Sequence, residues 1–297
     1  MASGNVMAFP HSSSLAPHAV LKLGRFSLPL DRALIMGVLN VTPDSFSDGG
    51  RFFDPARALE QANRMIAEGA DILDIGGESS RPGAAPVGAE EELRRVMPVL
   101  EKLADLQVPV SVDTGKPEVM RAVIAAGAAM INDIFALRTP GALEAAAGSD
   151  AAVCLTHMRG EPRTMQQDPH YQDVVAEVGA FLDGRAKAVM AAGIGRDRIV
   201  LDPGFGFGKT PQHNLELVRA LQRLRQLGYP VLAGLSRKSL FGRIAGRAAG
   251  ERVHASAAGA LLAVQRGASI VRVHDVAATR DSLLVLHAID DVTFNLE

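Results

Sequence analysis

From about residue 34 onward the hydrophobic positions fall in short unbroken runs. Each run leads through a polar, Gly- or Pro-rich loop into an Ala- and Leu-rich stretch with helical spacing. Eight runs recur: LIMGVLNV (34–41), DILDIGG (71–77), VPVSVDT (108–114), AMINDI (129–134), AAVCLTHM (151–158), RIVLDPG (198–204), PVLAGLS (230–236) and SIVRVHD (269–275). Between them DPARALEQANRMIAEG (54–69), PEVMRAVIAAG (117–127) and HASAAGALLAVQRG (254–267) predict helices, and another begins near Val174 after the long connection 159–173. Apolar strands alternating with helices imply a parallel sheet covered on both faces, because each crossover brings the chain back over the sheet. Eight such units close a (β/α)8 TIM barrel, so the fold class read here is α/β, a single-domain barrel, with a doubly wound open sheet as the alternative.

Two segments precede the first unit. KLGRFSLPLDR (22–32) alternates around a Pro-containing turn and predicts an N-terminal β-hairpin that closes the barrel floor. Residues 1–20, rich in Ser, Pro and His, lack the basic start and continuous apolar stretch of a secretory signal and are read as a flexible tail, leaving 21–297 for the barrel.

Nearly every run ends in a residue able to ionise or hydrogen-bond: Asn40, Glu78, Asp113, Asn132, His157, Asp202, Lys238 just past its run, and Arg272 with His274. In a barrel these ends converge on one face, so residues distant in sequence line one pocket. Each has a plainer reading as well. Asn40, Asp113 and Asn132 suit turns or helix caps, Asp202 suits the turn of DPG, and His157 reads first as a satisfied buried histidine. Arg272 and His274, two apart on a strand, point the same way, and an unpaired buried charge is costly, so a cationic pair there points to an anion. GFGFG (204–208) lacks the spacing of a phosphate loop and is read as a turn packed against a flat ligand, with Phe205 or Phe207 supplying an aromatic face; both also read as core residues, Phe205 first. Met65 and Met190 are read as core residues of helices, and Cys154 as a mid-strand residue without metal partners.

Composition narrows the partners. The 297 residues carry 31 basic and 33 acidic side chains, a net charge of −2, which gives no reason to expect a nucleic acid or an anionic membrane. Any anion must therefore be bound locally. One cysteine excludes an intrachain disulfide framework, and a cytoplasmic location is the default expectation.

Taken together, GVLNVTPDSFSDGG, DILDIGGESSRPGA, SVDT, INDI, THMRGEPRTMQ, LDPGFGFGK, LSRKS and VRVHDV, in this order between about residues 34 and 276, resemble the dihydropteroate synthase family of folate biosynthesis. The resemblance implies a (β/α)8 barrel that joins para-aminobenzoate to hydroxymethyl-dihydropterin pyrophosphate, releasing pyrophosphate with Mg²⁺. It also implies roles. Asn40 would contact Mg²⁺ and pyrophosphate, and Asp113, Asn132, Asp202 and Lys238 would line the pterin pocket. Ser80 and Arg81 would lie on a second loop, Phe207 and Pro82 beside para-aminobenzoate, and Arg272 with His274 at the pyrophosphate; Ser236 of LSRKS completes the binding set. Asp113, Lys238, Asn40 and Arg81 are the catalytic candidates. Many members have threonine where this chain has Ser80, which keeps the hydroxyl. The segment from Thr42 to Gly50, with Asp44, Ser45 and Phe46, is read as a lid over pyrophosphate. A homodimer built from late barrel helices is implied too.

The residue chemistry agrees with these roles. Carboxylates and amide oxygens accept the N–H donors of a pterin edge, and a lysine donates to its carbonyl and ring nitrogen. Arginines and a histidine suit pyrophosphate. Two rival readings are a pterin-binding methyltransferase domain, against which SSRPGA and LSRKS argue, and a non-catalytic pterin-binding paralogue, which should have lost lid or anion residues.

Overall fold

The computed structural model describes residues 19–41, 55–79 and 86–291. Strands β1 (Val20–Leu23) and β2 (Phe26–Pro29) form an antiparallel hairpin. Eight further strands follow: β3 (Leu34–Asn40), β4 (Ile72–Gly76), β5 (Val110–Asp113), β6 (Met130–Asp133), β7 (Ala152–Thr156), β8 (Ile199–Asp202), β9 (Leu232–Ala233) and β10 (Ile270–Val273). They pair in parallel in the order β8-β7-β6-β5-β4-β3-β10-β9. The ring closes where Leu201 of β8 bridges Val231, just before β9, and its N–H donates to the Pro230 carbonyl at 2.9 Å. That closure excludes the open doubly wound sheet.

The helices between the strands are α1 (Pro55–Ala67), α2 (Ala89–Leu103), α3 (Pro117–Ala125), α4 (Ala142–Ala147), α5 (Val174–Ala191), α6 (Pro211–Arg219), α7 (Leu221–Arg225), α8 (Ser239–Ala245), α9 (Val253–Gln265) and α10 (Val276–Asp290). Their starts follow local chemistry. Pro117 and Pro211 occupy first turns, where a missing N–H costs nothing. Asp173 caps α5 by accepting from the N–H groups of Val175 and Ala176.

Strand residues alternate between two cores. Ile35, Leu39, Leu73, Ile75, Val112 and Ile131 face outward beneath the helices, whereas Leu34, Met36, Ile72, Met130, Ala152, Val200, Leu232 and Ile270 face into the barrel. The inward layer is sealed from below by Leu21 and Leu23 of β1, both without solvent exposure. Each fully buried leucine contributes roughly 1.5–3 kcal/mol, enough to hold a short hairpin in place. The hairpin is therefore a floor, as its alternation indicates, but its turn is made by Gly24 and Arg25 while Pro29 only ends β2. Gly24 has φ +54°, which supplies the reversal a proline cannot. Met65 and Phe205 are buried as expected, but Met190 is 40% exposed. Val189 takes the inward position at this turn of α5, and one residue further rotates the methionine away, where its sulfur accepts from the Tyr229 hydroxyl.

Candidate active site

Above the apolar floor the same inward parity carries polar side chains. Following Ile72, Met130, Val200 and Ile270 by two or four residues gives Asp74, Asn132, Asp202, Arg272 and His274. Strand register sets Asp74 beside Ser111, Asp113 beside Asn132, and Thr156 beside Asp202. The barrel thus changes from hydrocarbon to hydrogen-bonding groups within one side-chain layer.

The centre of this layer is an ion-pair relay. Arg272 Nε donates to Asp74 Oδ2 at 2.6 Å, and its Nη2 donates to Asp113 Oδ2 at 3.1 Å. Asn132 Nδ2 donates to the same Asp74 oxygen at 3.3 Å. Asp74 is wholly buried, and its Oδ1 has no partner among the described residues. Burial works against the Arg272 charge, but Asp74 and Asp113 outweigh it and raise the guanidinium's pKa. Burial, opposed by Arg272 and reinforced by Asp74, pushes the Asp113 carboxyl up to about 7. The buried Arg272 charge, read from the sequence as pointing to an anion, meets two carboxylates of the barrel itself. His274 instead joins the neighbouring turn: its Nδ1 lies 3.0 Å from Ser236 Oγ, which also accepts the His274 N–H.

Asp202 ends β8 and serves the turn that follows. Its Oδ1 accepts the Gly204 N–H at 2.7 Å, leaving Oδ2 outside that bond, and burial raises its pKa. Gly204 has φ +67°, and a Cβ there would lie 1.9 Å from the His157 carbonyl oxygen, so only glycine fits. The turn presents Phe207 beneath the Lys238 ammonium, 4.6 Å from the ring centroid, while Lys238 also donates to the Phe205 carbonyl. Burial lowers the Lys238 pKa to about 8 against the attraction of Asp202. Arg237, just before it, has a left-handed φ of 56° and is held by its ion pair with Asp275 and by Ser256 Oγ accepting its N–H.

Asn40 and His274 border a cavity of about 520 Å³ that continues past Arg237 and Asp275 toward Arg64 on α1. No group of three or more His, Cys, Asp or Glu among the described residues could hold a metal ion. Asn40 offers this cavity one amide oxygen, a hard donor of the kind a magnesium ion takes beside water and phosphate oxygens.

The barrel brings Asn40, Asp113, Asn132, Asp202, Phe207, Ser236, Lys238, Arg272 and His274 to its mouth. Asp44, Ser45, Phe46, Ser80, Arg81 and Pro82, the lid, and residues 1–18 of the tail lie outside the described residues. Glu78 does not join the site: it pairs with Lys116 and accepts the Val87 N–H. His157 is buried and bonded, in keeping with the plainer reading. Asp74 and Ser111 lie mid-strand, where the polar end of a run does not point to them. Their signal was a polar residue in an apolar run at the parity of the run's polar end.

The sequence pattern of the pterin binding enzyme family matches residues 36–274. A dihydropteroate synthase of Haemophilus influenzae is 52% identical over 262 residues, covering 88% of this chain and 95% of that one. The solved structure of Xanthomonas albilineans dihydropteroate synthase with 4-aminobenzoic acid is 54% identical at a TM-score of 0.87, over 93% of this chain and 99% of that chain. That of Burkholderia cenocepacia dihydropteroate synthase complexed with 7,8-dihydropteroate is 53% identical at a TM-score of 0.84, over 92% and 96%. With a shared barrel, a family pattern whose range takes in every strand end that carries a site residue, and relatives about half identical over most of the chain, one assignment follows: the chain belongs to the pterin-binding enzyme family and, within it, to the dihydropteroate synthases.

Proposed function

We infer that this chain condenses hydroxymethyl-dihydropterin pyrophosphate with para-aminobenzoate, giving dihydropteroate and pyrophosphate. The observation that carries the reading is the polar inner layer above a sealed apolar floor, where Asn132 and Arg272 meet at Asp74, Arg272 reaches Asp113, and the Asp202 and Lys238 charges act on each other and on Arg272. A flat heterocycle with N–H donors on one edge and a carbonyl on the next meets acceptors from Asp202 and Asn132 and a donor from Lys238.

In the reaction the C–O bond to pyrophosphate breaks first, leaving a pterin-methyl cation. Asp113 stabilises the positive charge developing through the ring, and its carboxylate form is kept available by Arg272. The aromatic amine then attacks the methylene carbon and sheds a proton. His274 and Arg237 bring positive or donor groups to the cavity where the leaving anion departs. Magnesium, when bound through Asn40 and phosphate oxygens, supplies charge neutralisation to that anion. In this proposal Pro82 lies with Phe207 beside para-aminobenzoate, Ser80 and Arg81 belong to the second loop with Arg81 toward pyrophosphate, and the lid covers pyrophosphate. Identity with named synthases favours this reaction over methyl transfer.

The proposal extends to a homodimer and a cytoplasmic location. Leu262 of α9 and Leu284, Val285 and Ile289 of α10 are 42%, 50%, 57% and 73% exposed, and α9 and α10 pack side by side, so an apolar face is available for a second copy. No helix among the described residues is long and apolar enough to cross a membrane. The deciding assay follows pyrophosphate release with and without para-aminobenzoate, with mass detection of dihydropteroate. Coupled appearance of both products is expected, and absence of dihydropteroate rejects the function.

A further inference from the structure

Lys209 is a charged side chain that the mechanism above does not use. It closes the GFGFGK turn, and only 2% of its surface is exposed. Its ammonium lies 2.9 Å from the Gly204 carbonyl oxygen, 3.0 Å from that of Phe207, 3.2 Å from that of His157, and 2.9 Å from His157 Nδ1. As an ammonium Lys209 can only donate, so toward it His157 Nδ1 is the accepting nitrogen; burial lowers the lysine's own pKa to about 7 against the attraction of Asp202. Burial and the lysine charge together lower the His157 pKa to about 3, consistent with a neutral ring. The ring is fixed edge-on against Phe181, with centroids 4.9 Å apart.

These bonds join two strand ends to the turn. His157 follows β7, and its N–H donates to the Asp202 carbonyl oxygen; Gly204 follows β8; Phe207 is the ring beneath Lys238. The turn's carbonyls are thus divided between two lysines, with Phe205 facing Lys238 and Gly204 and Phe207 facing Lys209. From the other side Tyr171 donates its hydroxyl to the Gly208 carbonyl at 2.9 Å, and Asn214 Oδ1 accepts the Gly206 N–H at 2.8 Å. The backbone between Asp202 and Phe207 carries glycines at φ +67° and +80° and has little conformational preference of its own. Its shape is therefore set by the groups bonded to it, and Lys209 holds two of its carbonyls, those of Gly204 and Phe207.

We propose that Lys209, with His157 as its acceptor, is a positioning residue for the condensation: it sets Asp202 against the pterin and Phe207 against para-aminobenzoate without touching either substrate. The proposal rests on the dihydropteroate synthase reading. Displacing a binding group by about 1 Å costs on the order of a hundredfold, so loss of the cage should weaken both substrates by tenfold to a hundredfold.

The test compares wild type, Lys209→Met, which keeps the length and removes the charge, and Lys209→Gln, which restores N–H donors. Steady-state constants for both substrates are measured with direct binding of the pterin alcohol. In Lys209→Met the KM of both substrates and the Kd of the pterin should rise by about tenfold to a hundredfold, with partial recovery in Lys209→Gln. A purely structural lysine would lower the active fraction and hence kcat while leaving KM and Kd within threefold, and that result overturns the proposal. Failure of both variants to fold assigns the ammonium to folding alone and overturns it as well. A wild-type protein that forms no dihydropteroate fails the functional reading, a separate outcome.

Discussion

Removing Arg272 tests the relay at the centre of the barrel. Its side chain is 23% exposed, Asp113 is 13% exposed and Asp74 is fully buried, so all three charges lie largely out of water. Arg272→Met keeps much of the hydrocarbon volume but strands two carboxylates. Breaking a buried pair by deleting one partner costs about 3–5 kcal/mol, and this cation has two partners, so the upper half of that range is expected near pH 8. The pH dependence follows from Asp113. Its folded pKa already stands at about 7, and losing Arg272 raises it further, so below 7 the carboxyl is protonated in both proteins and needs no cation. As pH rises through 7 the wild type ionises Asp113 beside Arg272 whereas the variant cannot, and the stability gap widens. Urea denaturation between pH 5 and 8.5 measures this, with Asp113→Asn made in both backgrounds. The asparagine should cost less in the Arg272→Met background, with a coupling of about 1–3 kcal/mol. A gap below about 1 kcal/mol at every pH, without coupling, would mean that Arg272 serves only a bound anion and that the relay stabilises nothing.

Asp202→Asn keeps an oxygen for the Gly204 N–H but turns a donor toward the pterin's own donors; it should leave the melting temperature near wild type and cost about 2–4 kcal/mol of pterin affinity by calorimetry. Binding within a few-fold of wild type would reduce Asp202 to a turn residue. Leu284→Glu with Val285→Glu places two charges on the exposed face of α10 and should convert a dimer to a monomer by light scattering, with the barrel's circular dichroism unchanged. An unchanged dimer mass would remove this face from the interface.

Much of this molecule can be read along the chain. Eight apolar runs, each passing into a loop and a helix, point to a barrel because a parallel strand buried on both faces is apolar along most of its length. Asp113, Asn132 and Asp202 are legible for the same reason, since a polar residue where an apolar run stops is visible in one dimension. Their partners are not. Arg272 meets Asp74 across 198 residues and Asp113 across 159, and no local spacing encodes those encounters. Asp74 sits inside a run and looks like a blemish until register shows that it shares the inward face. Lys209 looks like the end of a glycine turn until four acceptors from two strand ends close around it. The sequence by itself determined the strand and helix runs and the face on which chemistry collects, because hydrophobic burial is written as local periodicity, whereas closure of the ring was decided by the Leu201–Val231 bridge. Only the tertiary structure decided which charges neutralise one another and which oxygens stay open to a ligand, because pairing in a buried, low-dielectric layer depends on distances of a few ångströms between residues that the chain itself keeps far apart.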